Sequence, residues 1–271
     1  MPNKGCIILK NKGFTLLELS MVLIVMAILV AGIFQGKALF HAAELREIMG
    51  DFDRYSKAIK EFQDKYQALP GDMNNAETIW GSDTACPNTT TNTTPKILTC
   101  NGNGNGRIGA SSTEGVIDTT YSYEWFRAWQ QMSNAGLVEG KFTGVKESAT
   151  DGDAGPGVNV PKAKTSAKSG WTLYHFLKKT TDADLWGDQY GHMLSFGGNT
   201  SSITDNPVLS PTDALSIDQK LDDGMPATGF IRAWRTNKQP RCTDNDVSAD
   251  VVTYGFYISE NSCSLLFILG L

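Results

Sequence analysis

Cys100-Asn-Gly-Asn-Gly-Asn-Gly-Arg-Ile108 is the stretch of this 271-residue chain whose residue types and spacing come nearest to a ligand set. The side-chain oxygens of Asn101, Asn103 and Asn105 fall at positions one, three and five of a tight loop. Gly106 and Ile108 follow as in an EF-hand-like calcium loop. Position twelve is Ser112 rather than glutamate, and asparagine brings no charge. Calcium held there would be held weakly unless Glu114, Asp118 or Glu124 contributes. The competing reading is a turn-rich loop whose Asn and Gly residues adopt left-handed conformations. Asp218, Asp222 and Asp223 offer an acid or metal pair, but their place at a helix end favours turn capping. The only histidines are His41, His175 and His192, and no Gly-x-Ser-x-Gly, His-Glu-x-x-His or Cys-x-x-Cys occurs. An enzyme is therefore not expected. Gly32-Ile-Phe-Gln-Gly36-Lys37-Ala38 is one residue short of a phosphate loop and lacks its Ser/Thr, so no nucleotide site is supported.

Composition narrows the partners. Lys plus Arg number 24 against 29 Asp plus Glu, a formal charge of −5, and aromatic residues make up 10%. That aromatic content argues against wholesale disorder, and the acidic balance argues against a phosphate-binding face. Lys162, Lys164 and Lys168 form a local basic run, yet no aromatics interleave with them and Asp151 and Asp153 stand close. No nucleic-acid partner is expected.

The elements that must position these groups begin at the N-terminus. Residues 1–13 carry Lys4, Lys10 and Lys12 and no acid; Phe14 to Phe34 are apolar or small apart from Glu18. A helix of that length spans a hydrocarbon core of roughly 30 Å. The lysines before it place the N-terminus on the cytoplasmic side. A signal peptide fits poorly, because the apolar run is long and no small-residue cleavage site follows it. A plain anchor leaves Glu18 unexplained, since a carboxylate in a membrane helix is costly unless paired or snorkelled. Beyond the membrane, Leu45, Ile48, Phe52, Tyr55, Ile59, Phe62, Tyr66 and Leu69 recur at spacings of three and four. Arg46, Asp51, Asp53, Lys57, Lys60 and Asp64 lie off that stripe. Leu69-Pro70-Gly71 ends the helix. The aromatics on the stripe favour a spine laid on a globular part over a dimer seam.

Further along, Ser122 to Gly136 reads as a short amphipathic helix with Trp125, Trp129 and Met132 on its apolar side. Ser210 to Gly224 reads as a second, capped by Ser210, with Pro211 in its first turn. Trp171–Leu177, His192–Phe196, Phe230–Arg235, Val251–Ile258 and Ser264–Leu271 read as strands suited to an antiparallel sheet. The last of these is too short to span a membrane.

Lys12-Gly13-Phe14-Thr15-Leu16-Leu17-Glu18, followed by the apolar helix, resembles the processing site of type IV pilins and type II secretion pseudopilins. The segment Ile217 to Gly229 is also similar to one in larger pilin-like proteins. The resemblance implies an α+β, pilin-like fold in which a long N-terminal helix packs on a head with an antiparallel sheet. It implies a leader at 1–13, a transmembrane part at 14–34, an amphipathic spine at 35–69 and an extracytoplasmic head at 70–271. Prepilin peptidase would cut after Gly13, and Phe14 would become the N-methylated first residue. Glu18 would then face a neighbouring subunit's terminal ammonium. The implied partners are other pilin or pseudopilin subunits, the peptidase, an inner-membrane assembly platform and membrane lipid. The implied site is the bacterial inner membrane, single-pass, and then a filament.

With the leader gone, Cys6 leaves too, and Cys86, Cys100, Cys242 and Cys263 remain in an oxidising compartment. Four cysteines allow three pairings, and sequence proximity favours Cys86–Cys100 with Cys242–Cys263. The expected function is a structural filament subunit. The alternatives are a binding module for calcium, DNA or a surface ligand, and a membrane-tethered periplasmic enzyme.

Overall fold

A computed structural model describes residues 13–84, 86, 96–109, 124–146, 154–164, 168–176, 184–187, 190–199, 203–235, 238–244, 252–255 and 260–271. Residues 1–12, the threonine-rich 87–95, and Ser112, Glu114 and Asp118 lie outside the described residues. One helix, α1 (Leu16–Tyr66), runs for 51 residues without an internal proline. Pairs such as Lys57–Asp53, 2.6 Å apart and four residues apart in sequence, support its exposed side. Gln67, at φ 53°, leaves the helical region, and Pro70 prevents its return.

The chain divides into two units, Met1–Ala43 and Glu44–Leu271. The described residues of the first carry their apolar side chains uncovered: Leu23, Ile24, Met26, Ile28 and Phe34 are all exposed. Their helix is long and apolar enough to cross a membrane.

The second unit has a core of its own. In it, the last part of α1 buries Leu45, Ile48, Tyr55, Ile59 and Phe62, while Phe52 and Tyr66 are partly buried against the same core. This is the stripe that spacings of three and four predict. Asp51 corrects that pattern: it is 3% exposed and held by Arg54 at 2.5 Å. It lies three residues from Ile48 and four from Tyr55, at the stripe's edge, so packing covers it. Burial pushes its carboxyl above the usual range, and Arg54 opposes the shift.

Against this helix lies an antiparallel sheet of order β1-β2-β5-β4, from β1 (Ser169–Phe176), β2 (Gly191–Asn199), β4 (Ile231–Ala233) and β5 (Leu265–Ile268). A short strand, β3 (Thr204–Asn206), pairs with β2 beside a register shift at Gly198/Asn199. Trp171 faces Phe196 across β1 and β2, and Phe196 faces Leu265 across β2 and β5. The C-terminal apolar run thus becomes a central strand, which explains its unbroken hydrophobicity. Of the expected strand at Val251–Ile258, the described part, 252–255, makes one isolated bridge, Thr243 to Tyr254, rather than a strand. Among the described residues the remaining helices are α2 (Ala76–Trp80), α3 (Glu124–Asn134) and α4 (Pro211–Leu221). The mixed α+β arrangement is the one the residue patterns imply.

Ile59 is fully buried and Lys60 is exposed one residue later. Ile59→Ala is expected to lower the unfolding free energy of the Glu44–Leu271 unit by about 2–5 kcal/mol, and Lys60→Ala by less than about 0.5 kcal/mol. Denaturant melts monitored by tryptophan fluorescence check both.

Candidate functional site

At the N-terminus the geometry is local. Helix α1 opens at Leu16, and Thr15 stands before it. The Thr15 backbone N–H donates to Glu18 Oε2 at 2.9 Å, and the Thr15 hydroxyl donates to the same oxygen at 3.0 Å. In return the Glu18 N–H donates to Thr15 Oγ1 at 3.2 Å. This reciprocal pair is a capping box, which satisfies helix N–H groups and sets the carboxylate at the positive end of the helix dipole. Thr15 is the residue that reading for charge alone overlooks, although the Thr-x-x-Glu spacing marks it. Gly13 and Phe14 are exposed, and a Cβ added at Gly13 would meet nothing within 4 Å. Nothing in the fold of the described chain therefore requires glycine there. The same is true of Gly32 and Gly36, whose helical backbone has no phosphate-cradling turn.

The Asn-Gly loop is built the other way round from a cation cage. Asn101 exchanges two bonds with Glu77: its Oδ1 accepts from the Glu77 N–H at 2.9 Å, and its N–H donates to Glu77 Oε1 at 3.0 Å. Asn103 Oδ1 accepts from Asn105 N–H at 2.9 Å, and Asn105 Oδ1 accepts from Arg107 N–H at 2.8 Å. These are turns closed by side chains onto their own backbone. The loop's backbone N–H groups meanwhile point at carboxylates. Asn105 and Gly106 donate to the two oxygens of Asp72 at 3.0 and 2.8 Å, and Asn103 and Gly109 donate to those of Glu124 at 3.0 and 2.7 Å. Such a nest of N–H groups favours anions, and the chain supplies them itself. Burial raises the Asp72 pKa, while the N–H groups of Gly106, Asn105 and Gly104 pull it back. Gly102 is demanded by closeness, because a Cβ there would lie 2.3 Å from the Gly71 carbonyl oxygen.

Helix α3 carries Trp125, Trp129 and Met132 inward, as their spacing predicts, with Trp129 edge-on to Tyr55 at 5.0 Å. Its polar face is buried as well. Arg127 pairs with Asp83 at 3.1 Å, both almost fully buried, and Gln131 Oε1 accepts from the Gly71 N–H at 2.7 Å. Lys164, in the basic run, pairs with Glu47 at 2.7 Å. Cys86 bonds Cys100 and Cys242 bonds Cys263, with Cα atoms 5.5 and 4.9 Å apart. The first joins two segments also held by the Asp83 N–H to Thr99 carbonyl bond; the second joins the turn before Thr243 to the start of the last strand region.

Asp218, Asp222 and Asp223 do converge, with oxygens within 4.8 Å of one another. Each is nevertheless engaged in capping. Asp218 accepts from Gly224 N–H at 3.0 Å and the Tyr254 hydroxyl at 2.8 Å. Asp222 accepts from the N–H groups of Phe230 and Ile231, and Asp223 from Met225 N–H and the Thr228 hydroxyl. Ser210 caps α4 by accepting from Asp213 N–H. Burial pushes the Asp218 pKa up to about 6, against the Tyr254 and Gly224 bonds. A raised carboxyl pKa means the folded chain holds a proton that the unfolded chain releases. The stabilisation from this group is complete below pH about 4 and lost as pH rises through about 6. The stability of the wild-type chain minus that of Asp218→Asn should therefore fall by on the order of 2 kcal/mol between pH 4 and 7, measured by urea melts at each pH. Gly102→Ala should destabilise the unit by about 1–3 kcal/mol, read in the same way.

Comparison with known proteins bears on the N-terminal site. The family model described as the prokaryotic N-terminal methylation motif matches residues 8–34. No curated protein and no solved structure matches the chain. The matched residues carry the prepilin-type signature of type IV pilins and pseudopilins.

Proposed function

We propose that this chain is a structural subunit of a type IV pilus or type II secretion pseudopilus, made as a precursor and assembled through its N-terminal helix. The observation that carries the reading is the methylation motif at residues 8–34, together with a helix from Leu16 whose apolar residues are left uncovered as far as Phe40. Apolar surface on that scale needs a membrane first and other copies of the helix afterwards. Prepilin peptidase acts on the cytoplasmic side, hydrolysing the Gly13–Phe14 bond; Phe14 then carries a new ammonium, which is methylated. The leader and its lysines stay behind, and the head emerges on the outer side of the inner membrane, where its two disulfides form.

Glu18 then has two successive roles. In the lone subunit the capping box meets part of its hydrogen-bonding need within the membrane boundary. In the filament its carboxylate pairs with the Phe14 ammonium of a neighbour. In a low dielectric an unmatched charge is expensive, so the stagger that pairs these groups is preferred over others. Leu, Ile and Val along the helix cover one another, and the charge pair sets the register. The function is assembly rather than catalysis.

Intact-mass analysis of the membrane form should give a chain beginning at N-methylated Phe14, of 271 − 13 = 258 residues. A mature chain that still begins at Met1 would overturn the reading. Glu18→Val should still be cleaved but should enter sheared filaments about tenfold less or worse, since each 1.4 kcal/mol of lost pairing is a factor of ten. Normal incorporation of that variant would remove the register role.

A further inference from the structure

His175 and His192 lie directly opposite one another on β1 and β2. The His175 N–H donates away from its partner strand, to the Ile108 carbonyl at 3.0 Å, and the His192 carbonyl accepts from Leu269 N–H at 2.9 Å. They are therefore a non-hydrogen-bonded pair, the arrangement that brings cross-strand side chains closest. Their rings are 4.6 Å apart at an interplanar angle of 72°. His192 is 4% exposed; the Leu271 backbone approaches its ring, but neither ring nitrogen makes a hydrogen bond of good geometry, and nor does His175 Nδ1. Three imidazole nitrogens without a well-formed hydrogen bond, on one buried and one half-buried ring, call for an explanation, and a bound ion is among the usual ones. His192 also lines a cavity of about 390 Å³, together with Gln63, Gln67, Asp72 and Asn74. That volume can hold an ion and its remaining waters.

We propose that the imidazoles of His175 and His192 form a two-nitrogen site for a borderline-soft divalent cation, of the zinc or copper type, whose other positions are filled by water from the adjoining cavity. Imidazole nitrogen suits this class of ion and not calcium or magnesium, which take oxygen ligands. The rings are in the required form. Burial is the main cause that lowers both pKa values; for His192 the neighbouring His175 adds to it, bringing the value to about 4, while the Leu271 backbone acts the other way. Metal ligation needs neutral imidazole, so no proton has to be displaced near neutral pH. Arg107 lies close enough to lower both imidazole pKa values, and its charge keeps the affinity modest. Asp72 faces the same cavity, but its two oxygens already accept loop N–H groups. The site is thus distinct from the N-terminal assembly segment and from the aspartate cluster.

The test uses tag-free full-length chain in detergent, titrated with zinc chloride, and Cu²⁺ as a spectroscopic probe. One zinc per chain is expected, with Cu²⁺ resonance showing coupling to two nitrogens. His175→Gln, at the more exposed ring, and His192→Gln should each weaken binding about tenfold or more, while His41→Gln should not change it. His175→Gln keeps the test decisive if His192→Gln does not fold. Absence of binding at about a hundredfold excess of zinc, or unchanged binding in His175→Gln, would overturn the proposal.

Discussion

Trp171 is the point through which the head is held together. Its buried ring lies 5.9 Å from Tyr55 of the long helix, 4.8 Å from Phe196 of β2 and 5.2 Å from Phe267 of β5. Tyr55 reaches on to Trp129 of α3, and Phe267 reaches Phe52, at 5.0 and 4.8 Å. One aromatic cluster therefore ties the helix, three strands' worth of sheet and α3 together. Large rings bury much apolar area for little lost rotamer freedom, and edge-to-face contacts add to it. The strand pairing that places Trp171 opposite Phe196 also places His175 opposite His192.

The same unit buries several charges and gives them hydrogen-bonding or ionic partners. Asp83 meets Arg127, Asp72 and Glu124 meet loop N–H groups, and Asp218 meets Tyr254 and Gly224. A buried charge left unmatched costs several kcal/mol, so these partners are as necessary as the apolar contacts. They also explain how the loop-rich head keeps its form. The Asn-Gly segment is anchored by the carboxylates of Asp72 and Glu124, and the segments joined by Cys86–Cys100 share the Asp83 to Thr99 bond. At the N-terminus Thr15 and Glu18 apply the same rule to a single helix end.

What could be read in the residues alone followed from short-range rules. Spacings of three and four marked the buried face of α1, and Ser210-Pro211 marked the start of α4. Asn-Gly repetition marked a tight loop. The same rules left two readings open where one atom type serves two purposes. Asparagine oxygens at alternate positions suit a cation, yet they equally close turns on their own backbone, and only the direction of the neighbouring N–H groups distinguishes the two. Arg127, Gln130 and Gln131 sit on what looks like the wet face of an amphipathic helix. They are buried because segments 71–72 and 96–100, distant in sequence, cover that face. No local pattern records such a cover. Strand β3 is three residues long and makes no pattern at all.

The sequence by itself determined the membrane-length helix, its glycine–phenylalanine junction, the carboxylate near its start and the stripe that continues into the head. Each is a matter of composition or of period along one chain, and helix geometry turns period directly into a face. Tertiary structure alone decided the polarity of the Asn-Gly loop, the burial of Asp51 and Arg127, and the meeting of His175 with His192. These depend on which residues far apart in sequence become neighbours, and strand register and loop packing set that in three dimensions.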